Sequence, residues 1–314
     1  MRFTTILSAL GALSASLVSA APLGVSNAAL SKRATAPKTD IDGVILNYAL
    51  TLEHLENNFY DGVLKNFSSD AFLAADYPDW VRYRLTEIAS HEKTHVDFLT
   101  GALTAANITP VAACEYSFPY TSPWGALAIA QILEGVGTSA YLGAAALITN
   151  PAYLTAAGSI LAIEARHTSW IRAAANNGDG FPTTFDTPLD FNQVYSMASA
   201  FITSCPSTNP TLPVKAFPAL TLATPAPLKA GEEIRLEYAN MSSQAEGTYA
   251  VFISGLGQYP VPFPSSGRVT IPTEVTGQGY VVIASSNATI SDDLTLAGPA
   301  VVEVPVQATD FSYE

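Results

Sequence analysis

Two rhythms of apolar and polar positions divide the chain near Pro206. Before it, Ala-rich stretches repeat apolar residues at helical spacing; after it, short runs alternate and are separated by turn residues. The first rhythm predicts helices over about residues 40–64, 80–106, 123–148 and 151–175, with a fifth over about 190–203. Thr39 or Asp40 supplies the first cap. Connections within each of the first two helix pairs are short or moderate. The stretch from Asn107 to Ser122 is longer and has no period of its own. Two helix pairs joined by one long crossover form a standard four-helix bundle topology. The second rhythm, in "EEIRLEYA", "GTYAVFISG", "GRVTIP", "GYVVIASS" and "AVVEVPV", predicts five or more strands. A small immunoglobulin-like β-sandwich from about Thr211 is the expected fold there, behind the Pro-rich linker "CPSTNPTLPVKAFPA".

The helix expected over 123–148 is apolar nearly all round and long enough to cross a bilayer. Glu134 in its middle and the lack of flanking Lys or Arg favour a buried bundle helix instead. A real export signal stands earlier. Arg2 precedes an apolar run from Ile6 to Val18, and Val18-Ser19-Ala20 offers a cleavage site. The expected organisation is a signal peptide over 1–20, a propeptide over 21–33 ending at Lys32-Arg33, a helical domain over 34–205, and linker plus β domain over 206–314.

Composition supports an extracellular chain, with association to a cell wall as an option. The whole sequence carries a formal charge of −13 from 14 basic and 27 acidic residues. Three of the basic residues and none of the acidic ones precede Ala34, so the mature chain stands at about −16 (11 against 27). That balance excludes nucleic acid and anionic membranes as partners. The only two cysteines, Cys114 and Cys205, are expected to pair. Asn66, Asn240 and Asn287 begin glycosylation triplets; Asn107 does so more weakly, with Pro110 following.

Chemistry concentrates in the helices. Glu134 in "AQILEGVG" and Glu164 in "ILAIEARH" sit among apolar residues, where a carboxylate needs a proton, a partner or a metal. Glu92-x-x-His95 and Glu164-x-x-His167 each place a carboxylate and an imidazole on one helix face. Glu53 and Glu134 are each followed seven positions on by a tyrosine, Tyr60 and Tyr141. The halves therefore repeat: Leu52-Glu53 matches Leu133-Glu134, and Gly62 matches Gly143. A glutamate from each of two helices plus Glu-x-x-His from two others is the di-metal carboxylate pattern.

The stretches "ILNYALTLEHLENNFY", "IASHEKTHVDFL", "AQILEGVGTSAYLGA" and "AIEARHTSWIR" resemble the ferritin-like superfamily. In particular they are similar to the secreted ferritin-like stress-response proteins of fungi and their plant desiccation-related relatives. The resemblance covers about residues 40–205 and implies a ferritin-like four-helix bundle with an extra C-terminal helix. It implies metal ligation by Glu53, Glu92, His95, Glu134, Glu164 and His167, with Tyr60 beside the metals. Four carboxylates balance two divalent ions, and oxygen donors with one imidazole per ion suit iron or manganese. Glu92 and Glu164 are expected to bridge ions roughly 3.5–4 Å apart. Tyr60 or Tyr141 would supply an electron or a proton.

"HEKTH" over 91–95 also spells a zinc-protease motif. The continuation "VDFLTGA" provides no third ligand, and Glu115 stands alone in the Cys114 loop, so a zinc protease is not expected. On the di-metal reading His91 is a bystander pairing with Glu87, and His54 and Glu56 point away from Glu53 as surface or supporting groups. Three functions remain open: an oxidoreductase acting on dioxygen, peroxide or superoxide, metal binding without turnover, or a degenerate site on a wall-associated protein. In the last, the β domain does the work; "YPVPFP" offers a carbohydrate contact or simple edge protection.

Overall fold

The computed structural model describes residues 41–306 except Asn240 and Gln244. The proposed signal peptide, propeptide, dibasic site and first helix cap lie outside the described residues, as does Asn240 of its glycosylation triplet. Four long helices carry the first half: α1 (Ile41–Asn66), α3 (Asp79–Ala105), α4 (Pro123–Ala145) and α5 (Pro151–Trp170). A short α2 (Ser69–Ala74), capped by Ser68, fills the first connection. Helix α5 widens into a π turn over Ile171–Ala175, and α6 (Phe191–Ser199) starts at an Asp190–Gln193 capping box. The predicted fifth helix ends early: Ile202–Ser204 is strand β2, paired with β1 (Glu115–Tyr116) in the crossover.

The chain's own polar groups strap that crossover to α1. Asn47 accepts from the Val111 amide at 2.8 Å and donates to the Thr109 carbonyl at 3.1 Å, while Cys114 and Cys205 form the expected disulfide. Helix α1 packs chiefly on α3, α4 chiefly on α5, and α1 against α4. Asp42 accepts from Thr149 and Asn150, tying the start of α1 to the α4–α5 connection.

The middle of helix α4 is apolar all round because it is covered all round: every residue from Leu133 to Tyr141 is buried. A Cβ on Gly143 would fall 1.7 Å from the Leu189 carbonyl oxygen, so only glycine lets that backbone approach. Among the described residues no helix is long and apolar enough to cross a membrane.

The second half is a small antiparallel β region of two sheets. One has the order β3 (Leu220–Leu222), β4 (Glu233–Tyr238), β7 (Arg268–Thr270). The other has the order β6 (Gly257–Pro262), β5 (Tyr249–Ser254), β8 (Gly277–Ala284), β9 (Thr295–Val304). Strand β4 alternates, with Ile234 and Leu236 buried and Glu233 and Arg235 exposed, as one core-facing side requires. The runs "YAVFIS" and "YVVIA" of β5 and β8 do not alternate because both their faces are covered. Phe252 and Val281 join a core shared with the first sheet; Ile253 and Tyr280 join the helical core.

Polar contacts close that second boundary. The Tyr280 hydroxyl lies 2.9 Å from Ser139 Oγ and donates to the Gly135 carbonyl at 3.1 Å. Arg172 in the π turn grips Glu303 of β9 with both terminal nitrogens, at 2.9 and 2.6 Å. The described residues of both halves fall in one compact unit.

Candidate metal centre

Each of the four long helices turns at least one glutamate inward. Glu53 of α1, Glu92 of α3, Glu134 of α4 and Glu164 of α5 are all 0% exposed. His95 and His167 follow one turn after Glu92 and Glu164, so each Nδ1 falls beside the carboxylates. Nδ1 of His95 lies 3.1 Å from Glu53, 3.2 Å from Glu92 and 3.3 Å from Glu164. Nδ1 of His167 lies 3.1 Å from Glu92 and 3.2 Å from Glu134.

These atoms form two overlapping sets. Glu53, Glu92, His95 and Glu164 bring donors within 4.8 Å of one another, and so do Glu92, Glu134, Glu164 and His167. Bonds of about 2.0–2.3 Å from donor to cation would separate opposing donors by at most about 4.6 Å. The 4.8 Å span of each set is within a few tenths of an ångström of that separation, and the sets share Glu92 and Glu164. All six residues singled out in the sequence as metal ligands are brought together here.

Hydrogen bonding inside the cluster does not close by itself. One Nδ1–H cannot donate to three carboxylates at once. Glu92 Oε1 and both Glu164 oxygens are left without an aligned hydrogen bond, although Glu92 Oε1 and Glu164 Oε1 stay within ion-pair reach of an imidazole. Leaving such oxygens buried costs on the order of 1–3 kcal/mol each, more when charged. Cations held between the glutamates would satisfy them, so the donor set fits bound metal.

Proton affinities point the same way. Burial pulls the His95 imidazole down, but the carboxylates of Glu164, Glu53 and Glu92 beside it outweigh this and raise it to about 12. Burial also opposes the charge on His167, which Glu134 and Glu92 nonetheless raise to about 11. Burial pushes Glu92 up, yet its bonds from His167 and His95 win and bring it down to about 2. Burial raises Glu53 to about 7. Burial, then the charges of Glu92 and Glu134, raises Glu164 well above the usual carboxylate range. Without metal, the cavity thus gathers positive charge onto its imidazoles, and ligation must displace those protons.

The tyrosines cross between the halves. Tyr60 of α1 donates to Glu134 of α4, and Tyr141 of α4 donates to Glu53 of α1. Burial, with the neighbouring glutamate charge next, pushes both phenols well above their usual value. Behind Tyr141 lies a cavity of about 30 Å³ lined by apolar groups of Leu52, Leu99, Ala144 and Ile160.

Two sequence expectations need correction. Glu56 is not a surface group: it is 4% exposed, and Glu164, Glu53, Glu92 and Glu134 are the charges acting on it. Three residues past Glu53 is only about 60° off its direction on a helix, which still faces the interior. His91 is no bystander either: its Nδ1 sits 2.9 Å from Nε2 of His167, while Glu87 bonds Arg84. The two histidines of "HEKTH" therefore address different partners. His54 is half-buried and its Nε2 lies 3.1 Å from the Val111 carbonyl, a supporting contact in the crossover.

Comparison with known proteins agrees with this geometry. Residues 41–177 match the Ferritin-like domain family. Over 242 residues, or 77% of this chain, the sequence is 24% identical to Protein rds1 of Schizosaccharomyces pombe. The chain spans 56% of that protein's length. These two matches support a protein of the ferritin-like superfamily. Among solved structures, a conserved hypothetical protein, rv2844, from Mycobacterium tuberculosis aligns at 20% identity. That alignment covers 43% of this chain and 97% of the other at a TM-score of 0.37, too low to bear on the site.

Proposed function

We propose that this chain is a secreted di-metal carboxylate protein that holds two iron or manganese ions and reacts with dioxygen, peroxide or superoxide in protection against stress. The observation that carries this reading is the pair of overlapping donor sets sharing Glu92 and Glu164. In it Glu53 and His95 would hold one ion and Glu134 and His167 the other, with Glu92 and Glu164 available to both. Carboxylates with one imidazole per ion suit iron or manganese, which would supply one-electron redox chemistry when bound.

The chain's own groups set the conditions. Tyr141 and Tyr60 hold the outer oxygens of Glu53 and Glu134, fixing how each carboxylate faces the interior. Complete burial of the four glutamates keeps bulk water from the centre. The cavity behind Tyr141 has room for roughly two water-sized molecules, which favours a small oxidant over a bulky substrate. Export is supported by the N-terminal apolar run and by the disulfide-paired cysteines.

Burial favours one other reading, metal retention without turnover, because all four glutamates are 0% exposed. Elemental analysis of the naturally produced protein, beside Glu92→Ala and Glu164→Ala, tests the site itself. Two ions per chain, lost in both variants, is the expected result; a single zinc kept in Glu164→Ala would sink it. Adding peroxide to the loaded protein then separates the readings, since retention alone predicts no change in metal oxidation state.

A further inference from the structure

The two halves of the centre match at their glutamates, tyrosines and Glu-x-x-His pairs, and one of the places where they differ lies beside the cluster. Glu53 and Tyr60 on α1 answer to Glu134 and Tyr141 on α4. Three residues after Glu53 comes Glu56, whereas three residues after Glu134 comes Gly137. The structure brings these two unequal positions together. A Cβ built on Gly137 would lie 2.8 Å from Glu56 Oε1 and 3.3 Å from Glu164 Oε2. The carboxylate of Glu56 thus occupies the space that any other residue at 137 would claim, beside a glutamate shared by both donor sets.

That placement leaves Glu56 in need of a proton or a cation. It is 4% exposed and faces one glutamate from each long helix: Glu53, Glu92, Glu134 and Glu164. The cationic side chains nearest the cluster are engaged elsewhere, His95 by Glu53, Glu92 and Glu164, and His167 by Glu92 and Glu134. A buried carboxylate among carboxylates is tolerated where a cation serves them jointly. A mid-helix glycine is conformationally costly, so its presence at 137 calls for a reason of space.

We propose that Glu56 is a fifth carboxylate of the cation-holding shell, admitted by Gly137, which makes the two metal positions unequal. This inference rests on the di-metal reading and extends it. Four carboxylates already balance two divalent ions. The fifth adds negative charge on the α1 side and next to Glu164, and so strengthens cation binding without a matching group on α4.

The test is anaerobic titration of the metal-stripped full chain with Fe(II) and with Mn(II), for wild type, Glu56→Gln, Glu56→Ala, Gly137→Ala and the Glu56→Ala/Gly137→Ala pair. Wild type is expected to bind two ions with unequal affinities. Glu56→Gln keeps the shape but not the charge and should weaken at least one step about 10-fold or more. Gly137→Ala should reproduce that loss by displacing Glu56, and should add nothing once Glu56 is already alanine. Circular dichroism checks that each variant folds, and the isosteric Glu56→Gln decides should Gly137→Ala unfold. Two ions bound by Glu56→Gln as tightly as by wild type would overturn this inference alone. A wild-type chain that binds neither ion would overturn the di-metal reading and this inference together.

Discussion

Nδ1 of His91 lies 2.9 Å from Nε2 of His167, and the two rings meet edge to edge, their centroids 5.2 Å apart and their planes 11° from parallel. The inner nitrogen of His167 is thereby aimed at Glu92 and Glu134. An outer partner of this kind fixes the tautomer and ring orientation of a metal-binding histidine. Replacing His91 with alanine should weaken metal binding about 10–100-fold while the fold persists. Competition with a chelator of known affinity measures it. Wild-type affinity in His91→Ala would return that residue to the role of bystander.

The crossed tyrosines give a symmetrical prediction. Tyr141→Phe strips the partner from Glu53, and Tyr60→Phe strips it from Glu134. Each should lower unfolding free energy by about 1–3 kcal/mol, the cost of orphaning a buried acceptor. Urea unfolding of the two variants should give similar losses. A loss confined to one of them would show that the halves are not supported alike.

How much of this centre could be read from sequence depends on spacing. Glu92-x-x-His95 and Glu164-x-x-His167 stand out because three residues make one helix face, and because Glu134 and Glu164 interrupt apolar runs. Glu56 was hidden by the same arithmetic: it lies about 60° off Glu53, in a stretch with polar neighbours on both sides. His91 depends on a partner 76 residues away, which no local period reports. Helix α2, six residues long, is too short to show a period. Strand β6 holds Pro260 and Pro262 yet pairs fully with β5, an edge position where missing amides do little harm. The π turn after Trp170 carries Arg172, whose grip on Glu303 is a contact made across the whole second half of the chain.

The proton affinities predict a stability profile for the protein stripped of metal. His95 and His167 are raised to about 12 and about 11, so their contributions are complete below the unfolded value of 6.5 and fade as pH rises. Glu53, raised to about 7, contributes fully below 4.5 and loses its share as pH climbs toward 7. Glu92, lowered to about 2, acts oppositely: its contribution is present above 4.5 and is lost as pH falls. The stripped protein should therefore melt highest near pH ~5 and lose stability toward pH 8. The loaded protein should not follow it, because metal binding strengthens as the imidazoles deprotonate. Calorimetry of both forms from pH 4 to 8 checks this. A melting temperature that rises across that range in the stripped form would contradict the assignment.

Arg172 provides the last test, at the boundary between helices and strands. It is 4% exposed, holds Glu303 with two bonds and donates through Nε to the Asp179 carbonyl at 2.9 Å. Glu303 also accepts from Gln131 at 3.3 Å. Truncating Glu303 to alanine leaves a buried guanidinium with one partner removed. A fully buried pair would lose about 3–5 kcal/mol this way, but the Glu303 side chain keeps 29% of its exposure, so about 2–3 kcal/mol is expected. Arg172→Met/Glu303→Leu removes both charges and fills the space, so it should recover at least half of that loss. Denaturant unfolding of the single and double variants decides between two pictures. If the double variant is no more stable than Glu303→Ala, the boundary depends on the bidentate geometry itself rather than on avoiding a stranded charge.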